Sequence, residues 1–501
     1  MDLEFRYEVS RTAAFVVDGN YRRVALQFPD ELLKDAYRVF DALRREIELR
    51  LEGCGDRSRD VQLYVMADTT YGSCCVDEVA ALHVKADCVV HYGRTCLSAH
   101  SWHDLDVILN SYGDSKTSRL PVLYVFGKEI LDVNACAESI FDFLISACKP
   151  TLILFGLEYA HAIAGLEVAV MARSASRFDI RLHYADILFS VFDPTQGSCR
   201  QTDGTAHGRR YCLGGLIWEV PEGCKLEDCV LLWVGSDDAA FSNVVLTFNA
   251  CEIVRYCPAE CRLMKDVAEK KKILKRRYYL VEKAKDANMV GILVGTLGVA
   301  GYLNMIHQIK ALIKSTGKKS YTFVVGRPSP AKLANFPECD VFIHVACPQT
   351  ALLDSKEFLA PVITPFEAIL AFSRGSEWTG EYIMEFRKLM SYSHQEVNSK
   401  VDGARYSFLN GGYVEDLEEN EEELDGNSLE LSTITEKVLK VADGHPSSMM
   451  AKRTAKSGLE FFSTRSYQGL EIGFKAPTTD VVTGRTGKAS RYDDERTGES
   501  S

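Results

Sequence analysis

No apolar stretch in the 501 residues approaches the roughly 20 needed to cross a bilayer. The opening Met1-Asp-Leu-Glu-Phe-Arg-Tyr starts with acids and lacks the basic-then-apolar order of a secretory leader, so a cytoplasmic location is expected. The common catalytic signatures are missing too: no Ser/His/Asp triad, no HExxH, no Walker lysine and no G-x-G-x-x-G fingerprint. Nor is there a CxxC pair or a compact ferredoxin spacing. Positive charge is not in excess. The net charge is −12, and the run Glu415, Asp416, Glu418, Glu419, Glu421, Glu422, Glu423, Asp425 holds eight acids and no base, leaving the remainder closer to neutral. Bulk electrostatics therefore give no reason to expect a direct nucleic-acid partner.

What is present is an ordinary globular composition, 46% hydrophobic and 26% charged, with enough length for about three domains. Sixteen cysteines are the unusual number. In a reducing compartment a chain this long does not depend on disulfides, so most should be small buried thiols, with a minority free to bind metal.

Short β-branched runs recur, each followed by a turn and a helix-like pattern. A first set is Val24–Phe28, Val61–Met66 and Cys88–His91; a second is Val122–Phe126, Leu152–Phe155 and Val230–Val234. The third is Val290–Val294, Tyr321–Val325, Val341–His344 and Val362-Ile363. Near-continuous apolar strands of this kind predict α/β domains with mainly parallel sheets covered on both faces. The boundaries are placed at 1–119, 120–286 and 287–395. An internal echo links the first and third sets: Asp87-Cys-Val-Val-His91 and Asp340-Val-Phe-Ile-His344, each followed shortly by a cysteine. Between the second and third sets, Cys261 to Ala287 carries ten lysines and arginines, with Met264, Val267, Leu274, Tyr278 and Val281 assigned to its apolar face. It reads as a solvated connector helix in preference to an RNA-facing one. Residues 396–501 read as an acidic, largely disordered tail.

The richest candidate chemistry is Ala67-Asp-Thr-Thr-Tyr-Gly-Ser-Cys-Cys-Val-Asp-Glu78, at the carboxyl edge of a parallel sheet where α/β proteins place their sites. A thiol opening the following helix would have its thiolate favoured by the helix dipole. Cys96 follows the next strand, with Arg94 beside it, and Cys347 follows a strand of the third set. On spacing alone, buried structural cysteines are the better reading, and a metal site requires that the domains face one another. Gly295-Thr-Leu-Gly-Val-Ala-Gly301 reads as a tight strand-to-helix connection rather than a phosphate cradle, and His91 and His344 as core histidines.

These motifs together are familiar. Asp68-Thr-Thr-Tyr-Gly-Ser-Cys-Cys-Val-Asp77, His91-Tyr-Gly-Arg-Thr-Cys-Leu97, Gln27-Phe-Pro-Asp30, Ile363-Thr-Pro-Phe-Glu367 and Trp378-Thr-Gly-Glu-Tyr382 resemble the diphthamide biosynthesis family. The resemblance extends over residues 5–395 and the Arg465–Leu470 island. It implies three similar α/β domains in a triangular arrangement around a 4Fe-4S cluster. It further implies use of S-adenosylmethionine to transfer a 3-amino-3-carboxypropyl group to a histidine of translation elongation factor 2. Eukaryotic members resemble a heterodimer, and Gly208-Arg-Arg-Tyr-Cys-Leu-Gly-Gly215 lacks the Leu-Gly-Cys order of the catalytic subunit. The likeness is therefore to the second, accessory subunit, with subunit 1 and an electron-donor protein as partners. Carried over residue by residue, the cluster ligands are Cys75, Cys96 and Cys347, with Cys74 as the other thiol of the doublet. The competing readings are a scaffold with zinc or no metal, and a self-sufficient homodimeric transferase.

Overall fold

The computed structural model describes residues 2–55, 59–66, 71–98, 120–147, 149–174, 181–193, 210–220, 224–265, 267–353, 356–373, 378–396, 405–408 and 411–414. The first sheet is built on β1 (Arg23–Gln27), β2 (Gln62–Met66), β3 (Cys88–Tyr92) and β4 (Val122–Val125), all parallel. The next stretch supplies β5 (Thr151–Phe155), β6 (Leu182–Tyr184), the short β7 (Asp186–Ile187) and β8 (Val191–Phe192), and the hairpin β9 (Arg210–Leu213) to β10 (Leu216–Glu219). It continues with β11 (Val230–Val234), β12 (Glu252–Cys257) and β13 (Arg262–Met264). The third sheet holds β14 (Met289–Val294), β15 (Lys319–Phe323), β16 (Val341–Val345) and β17 (Val362–Ile363).

The sheet orders are β2-β1-β3-β4-β8, β13-β12-β11-β5-β6 and β15-β14-β16-β17. Each contains the same parallel core, in which the first strand lies between the second and the third, and the fourth flanks the third. The first two sheets add an antiparallel edge strand, β8 and β13. Order reverses beside the first strand, so the carboxyl ends of the first and third strands form the crevice where such sheets receive ligands.

The internal echo has a physical basis in this topology. The Asp87 carboxylate accepts hydrogen bonds from the backbone of Arg22 and Arg23, at 2.8 and 2.9 Å. Asp340 does the same for Asn288 and Met289, at 2.8 and 2.9 Å. Each aspartate thus ties the start of a third strand to the start of its first. The third strands β3 and β16, and β4 beside β3, are buried throughout, as their unbroken apolar runs require.

Several expectations are corrected. Val122–Val125, grouped by sequence with the second set, is the fourth strand of the first sheet, because a buried strand carries no mark of which neighbour it will pair with. The basic helix begins at Val267, and Met264 belongs to β13 instead. It packs on the third sheet with Leu280, Val281 and Ala284 inward, while Tyr278 is half exposed. Within the segment read as tail, β18 (Arg405–Ser407) and β19 (Gly412–Val414) form an antiparallel hairpin, and Ser407 donates to the Asp286 carboxylate at 2.6 Å. The acidic run and the Arg465–Leu470 island lie outside the described residues.

Arg277, on the inward face of the basic helix, forms a buried fork with Glu367, Nε to Oε1 at 2.5 Å and Nη2 to Oε2. Tyr382 donates to the same carboxylate at 2.9 Å, and the Thr364 backbone amide donates at 2.8 Å in a capping box. The Ile363–Glu367 and Trp378–Tyr382 motifs therefore meet in one structural network. Replacing Glu367 by Gln leaves the Arg277 charge buried with no anionic partner. Its expected cost is about 3–5 kcal/mol in urea unfolding, and the double change Arg277→Met, Glu367→Leu should cost less.

His344, fully buried in β16, has its pKa pushed down to about 4 by desolvation. A histidine held neutral in the folded state contributes stability that is complete above its unfolded pKa near 6.5. That contribution is lost as pH falls toward 4. Subtracting the stability profile of His344→Leu from that of the parent should leave a slope confined to that window, totalling about 3 kcal/mol.

Candidate metal centre

Four thiols converge at the carboxyl edges of the first and third sheets. The Sγ atoms of Cys74, Cys75, Cys96 and Cys347 all lie within 4.8 Å of one another. Cys74 stands 2.9 Å from Cys347 and 3.9 Å from Cys75, and Cys75 stands 3.7 Å from Cys96. Among the described residues this is the one group of three or more metal-ligating side chains gathered this way. Each of the expected ligands Cys75, Cys96 and Cys347 is in it, and Cys74 joins them.

The loops arrive by different routes. The doublet follows β2, Cys96 follows β3, and Cys347 follows β16. Loop Tyr71–Asp77 is tied by backbone and side-chain bonds: Cys96 N donates to Cys74 O at 3.3 Å, and His91 Nε2 to Ser73 O at 3.0 Å. Gln27 bridges the next residues, donating to Cys75 O at 2.8 Å and accepting from Asp77 N at 2.9 Å. Across the units, Arg327 Nε donates to Tyr71 O at 3.0 Å and Gln349 Nε2 to Thr95 O at 2.8 Å. Neither cysteine of the doublet opens a helix. The helix Glu78–His83 is capped by the Asp77 carboxylate instead, which accepts from Ala80 N at 2.9 Å.

Sequence reasoning passed over the turn Gly295–Gly301 as a mere connection, yet it forms a wall of the site. Thr296 Oγ1 lies 3.8 Å from Cys75 Sγ, and a Cβ at Gly298 would stand 3.0 Å from Val76 O and 3.6 Å from Cys75 Cβ. The signal available was the glycine itself, whose missing side chain permits close backbone approach. Thr350 adds a contact of 3.1 Å from its Oγ1 to Cys347 Sγ. Arg94, beside Cys96 in sequence, is directed elsewhere, since its guanidinium pairs with Asp238 at 3.1 Å.

Among the described residues, the second sheet contributes no thiol to the group. Its loop after β11 is Gly235-Ser-Asp-Asp238, and Cys212 lies in the β9–β10 hairpin outside the thiol group. The other described cysteines are separate from the site, with only Cys54 and Cys261 exposed; Cys148 and Cys199 lie outside the described residues.

Hydrogen bonding within the thiol group divides its protons unequally. Contacts within the thiol group, those with Cys347 first, hold Cys96 well below the usual thiol range and Cys74 and Cys75 well above it, the Cys74 contact alone acting in the opposite sense on Cys75. The four thiols titrate as one coupled group, and a thiolate formed in it is stabilised by the remaining S–H groups. An all-sulfur donor set of soft thiolates selects zinc or iron–sulfur, and the fit to either is one of chemistry as well as proximity. No helix among the described residues is long and apolar enough to cross a membrane.

Comparison with known proteins agrees with this architecture. Residues 28–383 match the family model described as "Putative diphthamide synthesis protein". The chain is 38% identical over 502 residues to 2-(3-amino-3-carboxypropyl)histidine synthase subunit 2 of Gallus gallus, covering 98% of this chain and 92% of the relative. It is 34% identical over 394 residues to the protein of that name from Schizosaccharomyces pombe, covering 78% and 69%. Among solved structures, the fold is similar to Dph2 from Pyrococcus horikoshii, a crystal structure with a 4Fe-4S cluster. The TM-score is 0.52 at 16% identity, over 75% of this chain and 94% of that one. With a family model spanning most of the chain and relatives matched over most of their length, the chain belongs to the diphthamide synthesis family.

Proposed function

We propose that this chain is the accessory iron–sulfur subunit of the transferase that begins diphthamide synthesis. The reaction is transfer of a 3-amino-3-carboxypropyl group from S-adenosylmethionine to a histidine of translation elongation factor 2. The observation that carries the reading is the meeting of Cys75, Cys96 and Cys347, with Cys74, from three loops of two sheets. The subunit name of the relatives and the 4Fe-4S cluster described for the Pyrococcus protein support it. A cluster bound here would accept and pass single electrons. The part played by this chain's residues is to present Cys75, Cys96 and Cys347 as thiolates and to keep them desolvated. Cys74 stands beside them as a fourth sulfur. Among the described residues the second sheet adds no thiol to the group, which, with the missing Leu-Gly-Cys order, supports an accessory role over a catalytic one. Its role is then to support reduction of the cluster in a catalytic partner, subunit 1, with electrons from a donor protein.

One observation favours a second reading. Zinc–sulfur bonds of about 2.3 Å in a tetrahedron space the sulfurs about 3.8 Å apart, and two of the pairs here stand 3.7 and 3.9 Å apart. A structural zinc in a scaffold subunit would meet that spacing.

Anaerobic reconstitution with iron and sulfide, alone and with the partner subunit, separates these readings. The expected product binds both in equal amounts and absorbs broadly in the visible. A triple variant with alanine at 75, 96 and 347 should be colourless. Zinc without sulfide would establish the scaffold reading, and modification of elongation factor 2 by the isolated chain would establish a self-sufficient transferase.

A further inference from the structure

We infer that Gln27 is a positioning residue that fixes the register of the cysteine doublet. The inference rests on the iron–sulfur reading above for its consequence at the metal, but its structural content stands without it. Gln27 is the last residue of β1 and is completely buried. Its amide nitrogen donates to Cys75 O at 2.8 Å, and its amide oxygen accepts from Asp77 N at 2.9 Å. A carbonyl and an amide two residues apart are what an adjoining β-strand would engage, so one side chain substitutes for a short piece of ladder.

The sheet register extends this device. Gln27 is paired with His91 on β3, and His91 holds Ser73 O at 3.0 Å. Two neighbouring strand ends therefore grip residues 73, 75 and 77 of one loop from the sheet side. Cys74 O is engaged by Cys96 N instead. In a doublet, a slip of one residue would put one thiol in the other's place, and at that place two identical side chains do nothing to oppose it. The opposition comes from the alternating grip, which specifies Cys75 against Cys96 and Thr296 and Cys74 against Cys347. Both functional ends of the Gln27 amide are used. An alkyl chain at this position supplies neither bond, and a carboxylate can supply only the acceptor while opposing the Cys75 carbonyl oxygen.

The test uses Gln27→Leu and Gln27→Glu in the full chain. In reconstituted Gln27→Leu, iron extraction by a chelator should be about 10–100-fold faster than in the parent, the usual consequence of losing an outer-shell partner. The paramagnetic resonance spectrum of the reduced cluster should shift. In the metal-free chain, hydrogen exchange over Cys74–Ala80 should accelerate while β1 stays protected. Gln27→Glu, close to isosteric, should give an intermediate release rate and a lower reduction potential, and it keeps the test valid if the leucine variant does not fold. Parent-like iron release and parent-like exchange in both variants would overturn the assignment. If the parent itself takes up no iron, the iron–sulfur reading fails, and the exchange comparison alone decides the role of Gln27.

Discussion

Two sulfur atoms 273 residues apart in sequence, those of Cys74 and Cys347, approach to 2.9 Å, and much of the surrounding structure serves that approach. It requires the carboxyl edges of the first and third sheets to face each other, with the connecting loops held at fixed height. The shared strand order supplies the edges. The loops are then fixed by bonds that cross between units: Arg327 to Tyr71 and to the Asp30 carboxylate, and Gln349 to Thr95. Individually these bonds contribute about 1 kcal/mol or less. Their larger effect is geometric, because two end on the backbone of cysteine-bearing loops and the third on the side chain of Asp30 beside them.

The middle unit repeats the same strand order but acts by packing. The β9–β10 hairpin turns through Gly214 and Gly215, both at positive φ. A Cβ on Gly215 would stand 2.6 Å from Leu97 Cδ1, so the hairpin lies directly against the residue after Cys96. On the same side Asp238 pairs with Arg94. The hairpin, in a small sheet of its own with β7, and the loop after β11 therefore brace the Cys96 loop, and neither adds a thiol to the group. A topology repeated three times has been turned to two uses, and the difference lies in loop residues alone.

Much of this was legible in the chain. Apolar runs marked the strands, and the paired Asp–His segments marked equivalent third strands. Their aspartates are retained in the pattern because each closes two amide groups at a strand start. What could not be read was partner choice. Val122–Val125 is equally apolar whichever sheet it joins. The face of the basic helix was misjudged because Arg277 counts as a surface residue until Glu367 is placed beside it. The cysteine doublet posed the same difficulty at the site. Sequence showed two adjacent thiols, and the backbone grip that tells them apart comes from Gln27 and His91, distant in the chain and ordinary in type.

The surroundings of the thiols limit what can complete the site. The cavity beside them is lined by groups such as Val76, Leu97, Tyr124 and Val299, and no charged side chain is among its lining residues. Arg94, the nearest basic residue in sequence to Cys96, is engaged with Asp238. One thiolate in the group can be stabilised by hydrogen bonds from its neighbours, but each further ionisation would place like charges a few ångströms apart in a desolvated pocket. The described residues that line it offer no cation to offset them. A soft metal centre does, since it draws thiols into the thiolate form and supplies the compensating charge at the point where they meet. The lining thus supports, beside the ligands, the metal-binding role proposed above.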